Sequence, residues 1–135
     1  MFVDASAIVA ILTREADADD LADALEAARS PITSAIAVFE ATLGVCRKRH
    51  ASVAEAQEDV SEFLGTVGVQ TFSITSKEAE VALDAFSRYG KGRGHPAQLN
   101  LGDCFAYAVA KTYRTELLFK GEGFTKTDIK PANKA

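Results

Sequence analysis

Four acids stand where packing has little use for a charge. Asp4 closes the apolar opening Met1-Phe2-Val3, Glu40 falls within the apolar stripe of a helical segment, Asp103 opens another helix, and Glu122 follows the strand-like Leu117-Leu118-Phe119. Carboxylate oxygens gathered from separated elements suit hard divalent cations such as Mg2+ or Mn2+. The chemistry such a centre supports is hydrolysis of a phosphodiester: one cation orients a water and lowers its pKa, and a second stabilises the leaving oxygen of an in-line displacement.

Each acid also has an ordinary explanation. Asp4 can satisfy backbone donors in the turn to the first helix. Glu40 shares a helical face with Ile36 and Leu43, since successive residues turn by about 100°, and a bare carboxylate there needs a cation, a base or hydrogen bonds. Asp103, with Asn100 as N-cap, occupies the position that closes a capping box and favours the helix dipole. Glu122, between Gly121 and Gly123, reads equally as an exposed loop acid, and Asp128 as a turn residue. Taken together the acids carry more, because three strand-to-helix type junctions and one helix face would converge at one edge of a parallel sheet, where open α/β folds bind their ligands.

The elements that must position them follow from periodicity. Residues 1–4 read as a buried strand, followed by a helix from about Ser6, its N-cap, to Leu12. Ala18, Leu21, Ala22, Leu25 and Ala28 recur at helical spacing until Ser30-Pro31. Ile32-Thr33 is too short to classify alone. Ser34 caps a long helix reaching about His50, a further helix covers 53–64, and Gly65 and Gly68 punctuate the change to a strand over 69–74. Ser76 is expected to cap a helix to Tyr89 that buries Ala79, Leu83 and Phe86, and the glycines at 90, 92 and 94 end it in a basic loop. A helix over 101–113 and a strand over 116–119 complete the order. Strands alternating with helices imply an α/β fold, a sandwich around a mainly parallel sheet.

Length and composition bound the rest. The 135 residues fit a single domain, 1–135, and 47% hydrophobic with 25% charged residues is the balance of a soluble globular chain. No segment approaches a membrane span, and the N-terminus enters a strand-like run without an export signal, so a cytoplasmic location is expected. Cys46 and Cys104 are isolated and offer neither a disulfide framework nor a zinc spacing. A net charge of −4 argues against an overall basic coat for nucleic acid but permits a local track. Bases gather at Arg47-Lys48-Arg49-His50 and at Arg88, Lys91, Arg93 and His95, and Lys91 and Arg93 are the candidates to hold a phosphate backbone. The acids of Glu15, Asp17, Asp19, Asp20, Asp23 and Glu26 read as a solvated face. A serine hydrolase or phosphate-loop enzyme lacks its motif here.

With these residues in place the chain resembles the PIN-domain ribonucleases, specifically VapC-type toxins of bacterial toxin–antitoxin pairs. The resemblance spans the whole chain and rests on Met1-Phe2-Val3-Asp4-Ala5-Ser6-Ala7, Thr33-Ser34-Ala35-Ile36-Ala37-Val38-Phe39-Glu40, Leu99-Asn100-Leu101-Gly102-Asp103-Cys104-Phe105-Ala106-Tyr107-Ala108 and the closing run from Leu117 to Ile129. It implies an α/β/α sandwich whose acids bind Mg2+ or Mn2+ and cleave RNA, leaving a 3′-hydroxyl and a 5′-phosphate. It further implies catalytic and metal roles for Asp4, Asp103 and Glu40, the last directly or through water, and supporting roles for Ser6 and Thr33 beside the carboxylates. The implied partners are an RNA substrate, a second copy in a homodimer and a VapB-type antitoxin that blocks the acidic pocket. In the closing segment the family has Asp where this chain has Gly123. Either Glu122 substitutes, directly or through water, or the centre has three acids. Two other readings stay open: a catalytically weakened module that binds antitoxin and RNA without efficient turnover, and Asp4 as a phosphoryl-accepting nucleophile.

Overall fold

Phe2-Val3 and Leu117-Leu118 are unbroken apolar pairs, and both are wholly buried, as strands covered on two faces require. In the computed structural model, which describes residues 1–132, they form β1 (Phe2–Val3) and β4 (Leu117–Leu118) of a four-stranded sheet with β2 (Ile32–Ser34) and β3 (Gln70–Phe72). The last three positions of the expected domain lie outside the described residues. Strand order is β3-β2-β1-β4 and every pair is parallel, with Phe2 opposite both Ile32 and Leu117. The chain thus builds outward from β1 to β3 and then returns to the other side of β1. This reversal is a topological switch point, and it opens a crevice beyond the carboxyl ends of β1 and β4.

Among the described residues six α-helices flank the sheet, giving the α/β/α architecture: α1 (Ala5–Leu12), α2 (Ala18–Glu26), α3 (Ala35–Arg49), α4 (Val53–Val67), α5 (Ser76–Tyr89) and α6 (Leu101–Thr112). Contacts join α1 to α2 and α3, α3 to α4, and α5 to α6, while α6 also touches β1, β2 and β4. Small side chains explain that approach, since Gly102, Ala106, Ala108 and Ala110 are buried along α6. Among the described residues no helix is long and apolar enough to cross a membrane.

Local chemistry shifts several expected boundaries. Asp4, rather than Ser6, caps α1, because its carboxylate receives the Ser6 N–H. Thr75 caps α5 in place of Ser76 and completes a capping box with Glu78, which is buried. Gly65 remains inside α4, and Gly68, at φ 73°, supplies the left-handed residue that ends it. On α5 the buried apolar face is Ala82 and Ala85, leaving Leu83 exposed and Phe86 partly so.

The C-terminal segment is held by one polar network. The Tyr107 hydroxyl donates to Asp128 Oδ1 at 2.5 Å and accepts from Arg88 Nη2 at 2.8 Å, while Lys111 Nζ reaches Asp128 Oδ2 at 3.0 Å. Asp128 is therefore a structural anchor joining α5, α6 and the chain after β4. Tyr107→Phe should lower unfolding stability by about 1–2 kcal/mol in urea denaturation, because it removes a buried hydroxyl serving two charged partners.

Candidate metal centre

Asp4 leaves β1 directly into the crevice. It is 4% exposed, and its Oδ2 accepts from both the Ser6 N–H at 3.0 Å and the Ser6 hydroxyl at 2.6 Å. The Ser6 oxygen in turn accepts the Lys120 N–H at 3.0 Å, so the end of β4 is tied to Asp4 through one serine. Thr33, fully buried on β2, acts on the backbone instead: its hydroxyl donates to the Val3 carbonyl at 2.9 Å, fixing the strand immediately before Asp4.

Asp103 lies in the first turn of α6 in a reciprocal capping box. Its Oδ2 accepts the Asn100 N–H at 3.0 Å, and the Asn100 side chain accepts the Asp103 N–H at 2.9 Å. The other carboxylate oxygen takes no hydrogen bond among the described residues, so capping and ligation are compatible in one side chain. Glu40 comes from α3 and is half-buried. Its carboxylate lies against Gly102, where a Cβ would overlap it, so the present position of the carboxylate depends on glycine there. Glu40 stands at the border of the buried face of α3: Ala37 and Gly44, three residues before and four after it, are buried, while Leu43 on its other side is 38% exposed.

The three acids disturb one another. Burial raises the Asp4 carboxyl to about 6, with the Asp103 charge adding to the rise and the Ser6 hydrogen bonds opposing it. Glu40 is pushed up by burial and then by the charges of Asp4 and Asp103. Asp103 is pushed up by burial against the Asn100 hydrogen bond. All three line one cleft, and among the described residues no Lys or Arg is paired with any of them. Of the three bases on that cleft, Lys48 and Lys120 are paired to Glu15 instead, and Arg47 has no ion pair among the described residues. A divalent cation is the counter-charge that this oxygen donor set fits. The side chains are not already closed into a three-ligand set among the described residues. Mg2+ tolerates such openness, because it commonly keeps several waters and takes only one or two carboxylates. A roomier groove runs along α2 between Met1, Leu21 and Glu116, but it gathers none of these three acids.

Other expected site residues lie elsewhere. Glu122 is exposed, makes no side-chain hydrogen bond or ion pair among the described residues and does not line the cleft. Lys91 and Arg93 are exposed on the loop after α5 and do not line it either. The residue that the sequence concealed is Glu15, whose side chain is 18% exposed and joins Lys48 to Lys120. Its partners sit on α3 and after β4, so no local spacing announces it.

The family model described as PIN domain matches residues 1–130. The chain belongs to the PIN domain family. Its relatives include ribonuclease VapC42 of Mycobacterium tuberculosis, 42% identical over 98% of each chain, and a VapC ribonuclease of Rhizobium meliloti, 40% identical over 95% of this chain and 98% of that one. Two solved structures share the PIN fold. One is a toxin–antitoxin complex from Klebsiella pneumoniae, with TM-score 0.67, 20% identity and coverage of 94% and 92% of the two chains. The other is Mycobacterium tuberculosis VapC20, described as a Sarcin-Ricin loop cleaving toxin, with TM-score 0.70, 16% identity and coverage of 96% and 98%. Within this PIN domain a Cβ at Gly123 would stand 3.1 Å from the Ala97 carbonyl, so the position is tightly packed against the chain leading into α6.

Two outcomes follow from the crowding of acids. A carboxyl raised in the folded state favours folding only while it is protonated, so its contribution is lost as pH rises through the folded value. Metal-free Asp4→Asn should therefore be more stable than the parent above pH 6, by on the order of 3 kcal/mol, with the difference vanishing below about pH 4 in denaturation measured across pH. Gly102→Ala should displace the Glu40 carboxylate and weaken Mn2+ binding by about 10-fold or more in calorimetry, with helical circular dichroism retained.

Proposed function

We propose that this PIN domain is a divalent-metal-dependent endoribonuclease and the toxin of a toxin–antitoxin pair. The observation that supports the reading is three mutually repelling carboxylates, paired with no base among the described residues, at the switch point of a parallel sheet. Support comes from relatives at about 40% identity that are named ribonucleases. Asp4 and Asp103 would hold Mg2+ or Mn2+, with Glu40 joining directly or through water. When bound, such a cation supplies an electrophilic centre that polarises the phosphodiester and lowers the pKa of an attacking water.

The chain's own residues do the positioning. Ser6 fixes the Asp4 rotamer with two hydrogen bonds, and Asn100 fixes Asp103 through one oxygen while leaving the other open. Glu40, pressed against Gly102, orients the water for in-line attack. Cleavage leaves a 3′-hydroxyl and a 5′-phosphate. A VapB-type antitoxin that covers the cleft would restrain the activity in the cytoplasm. Exposed Phe39 and Leu43 on α3, with Leu83 and Phe86 on α5, are candidates for the contact in a homodimer.

The packing at Gly123 favours attention to a second reading, a weakened module that retains binding without efficient turnover. Incubation with single-stranded RNA separates the two. Cleavage in Mg2+ or Mn2+, 5′-phosphate ends on sequencing, loss in chelator and a fall of at least about 100-fold in Asp103→Asn support the nuclease. RNA binding with no turnover at any Mn2+ concentration supports the module. Activity of Glu122→Ala equal to the parent would leave a three-acid centre.

A further inference from the structure

Glu15 occupies the connection between α1 and α2 and reaches across the cleft to two other parts of the chain. Its Oε2 accepts Lys48 Nζ of α3 at 2.8 Å, and its Oε1 pairs with Lys120 Nζ just after β4. Lys120 also lies 3.4 Å from Asp17. The cluster lines the same cleft as Asp4, Glu40 and Asp103. Its placement is fixed from the backbone side as well, since the Lys120 N–H is the donor that holds Ser6, and Ser6 holds Asp4.

We propose that Glu15 is a positioning residue: it sets Lys48 and Lys120 at the mouth of the acidic cleft as a bracket for phosphates of single-stranded RNA on either side of the cleaved bond. The inference rests on the ribonuclease reading above. A polyanion approaching three carboxylates needs local cations, and a chain of net charge −4 has no general basic coat to supply them. Lys48 and Lys120 keep 49% and 38% of their side chains exposed, and each ammonium has three donors, more than its carboxylate partners use. Arg47 lines the cleft too and has no ion pair among the described residues. Exposed ion pairs add little stability, so preorganisation of two flexible cations is the more consequential effect of Glu15. Its carboxyl is held below the usual range by its hydrogen bonds to Lys120 and Lys48, so it is ionised beside them at neutral pH.

The test is binding of a short single-stranded RNA in Ca2+ across a salt titration, together with steady-state cleavage and Mn2+ affinity. Lys48→Ala and Lys120→Ala should each flatten the log–log salt slope by about 0.7, the value for one phosphate contact on a single strand. Lys48→Arg should restore the slope. Glu15→Gln, which retains both lysines, should weaken RNA binding about 2- to 10-fold, the ordering entropy of a rotamer-rich side chain. That loss should fall in KM rather than kcat, with Mn2+ affinity held. Unchanged salt slopes in the lysine variants, or RNA binding by Glu15→Gln as tight as the parent's, would overturn the proposal. Loss of Mn2+ affinity in Glu15→Gln would overturn it in favour of a role in keeping the lysines off the acids. RNA binding with the expected slopes but no cleavage in any divalent metal would sink the ribonuclease reading and leave the bracket standing, whereas cleavage with flat slopes would do the reverse.

Discussion

Three carboxylates share one cleft with no base among the described residues paired to any of them, and much of the local architecture bears on that crowding. Asp4 is taken out of water at the end of β1, where an ionised acid is unfavourable unless something compensates. Two hydrogen bonds from Ser6 compensate in part, and the Asp103 charge works against them. Asp103 lies on α6, which touches three of the four strands through its small side chains. Gly102 then leaves room for Glu40 to descend from α3. The end of a strand, a helix cap and the gap at a glycine each admit a different acid to one cleft.

That arrangement works against stability in the metal-free chain. A capping acid on the protein surface would stabilise its helix at neutral pH, whereas burial raises all three of these acids and neighbouring negative charge adds to the rise at Asp4 and Glu40, so that their ionisation costs folding stability. The same electrostatic excess is what a divalent cation relieves. The lysines that could relieve it from within are instead engaged by Glu15. Keeping opposite charges close but separately paired preserves both an anionic centre and a cationic rim, which is the polarity a nuclease requires of one cleft.

How legible this was from sequence differs by residue. The alternation of strands and helices, and the Asn100–Asp103 capping pair, depend on neighbours a few positions apart, so periodicity and cap chemistry recover them. For Asp103 the ordinary explanation holds, and it does not compete with the proposed functional one, because the cap uses one oxygen and leaves the second open. Glu40 was recognisable as a carboxylate on a partly apolar helical face, and it stands at the border of that face: Ala37 and Gly44 beside it are buried, Leu43 is 38% exposed, and its carboxylate reaches Gly102 of α6. Lys91 and Arg93 stood out because glycines surround them, yet the cleft's bases come from α3 and the end of β4. Pairing through Glu15 spans the chain, and such contacts leave no trace in local spacing.

The chain after β4 shows why the family's fourth acid is not simply moved by one residue. Gly121 takes φ 109°, a backbone region that favours glycine, and Glu122 projects outside the acidic cleft. Gly123 follows with ordinary right-handed φ and ψ of −57° and −53°, so its backbone would accept any residue. The restriction there is spatial, since a side chain would press on Ala97 at the entrance to α6. Restoring an acid at 123 would thus require the 97–99 segment to yield, and that segment leads directly into the Asn100 cap that orients Asp103. A side chain at 123 would therefore act first on the segment that orients Asp103, which ties the packing after β4 to the position of that acid.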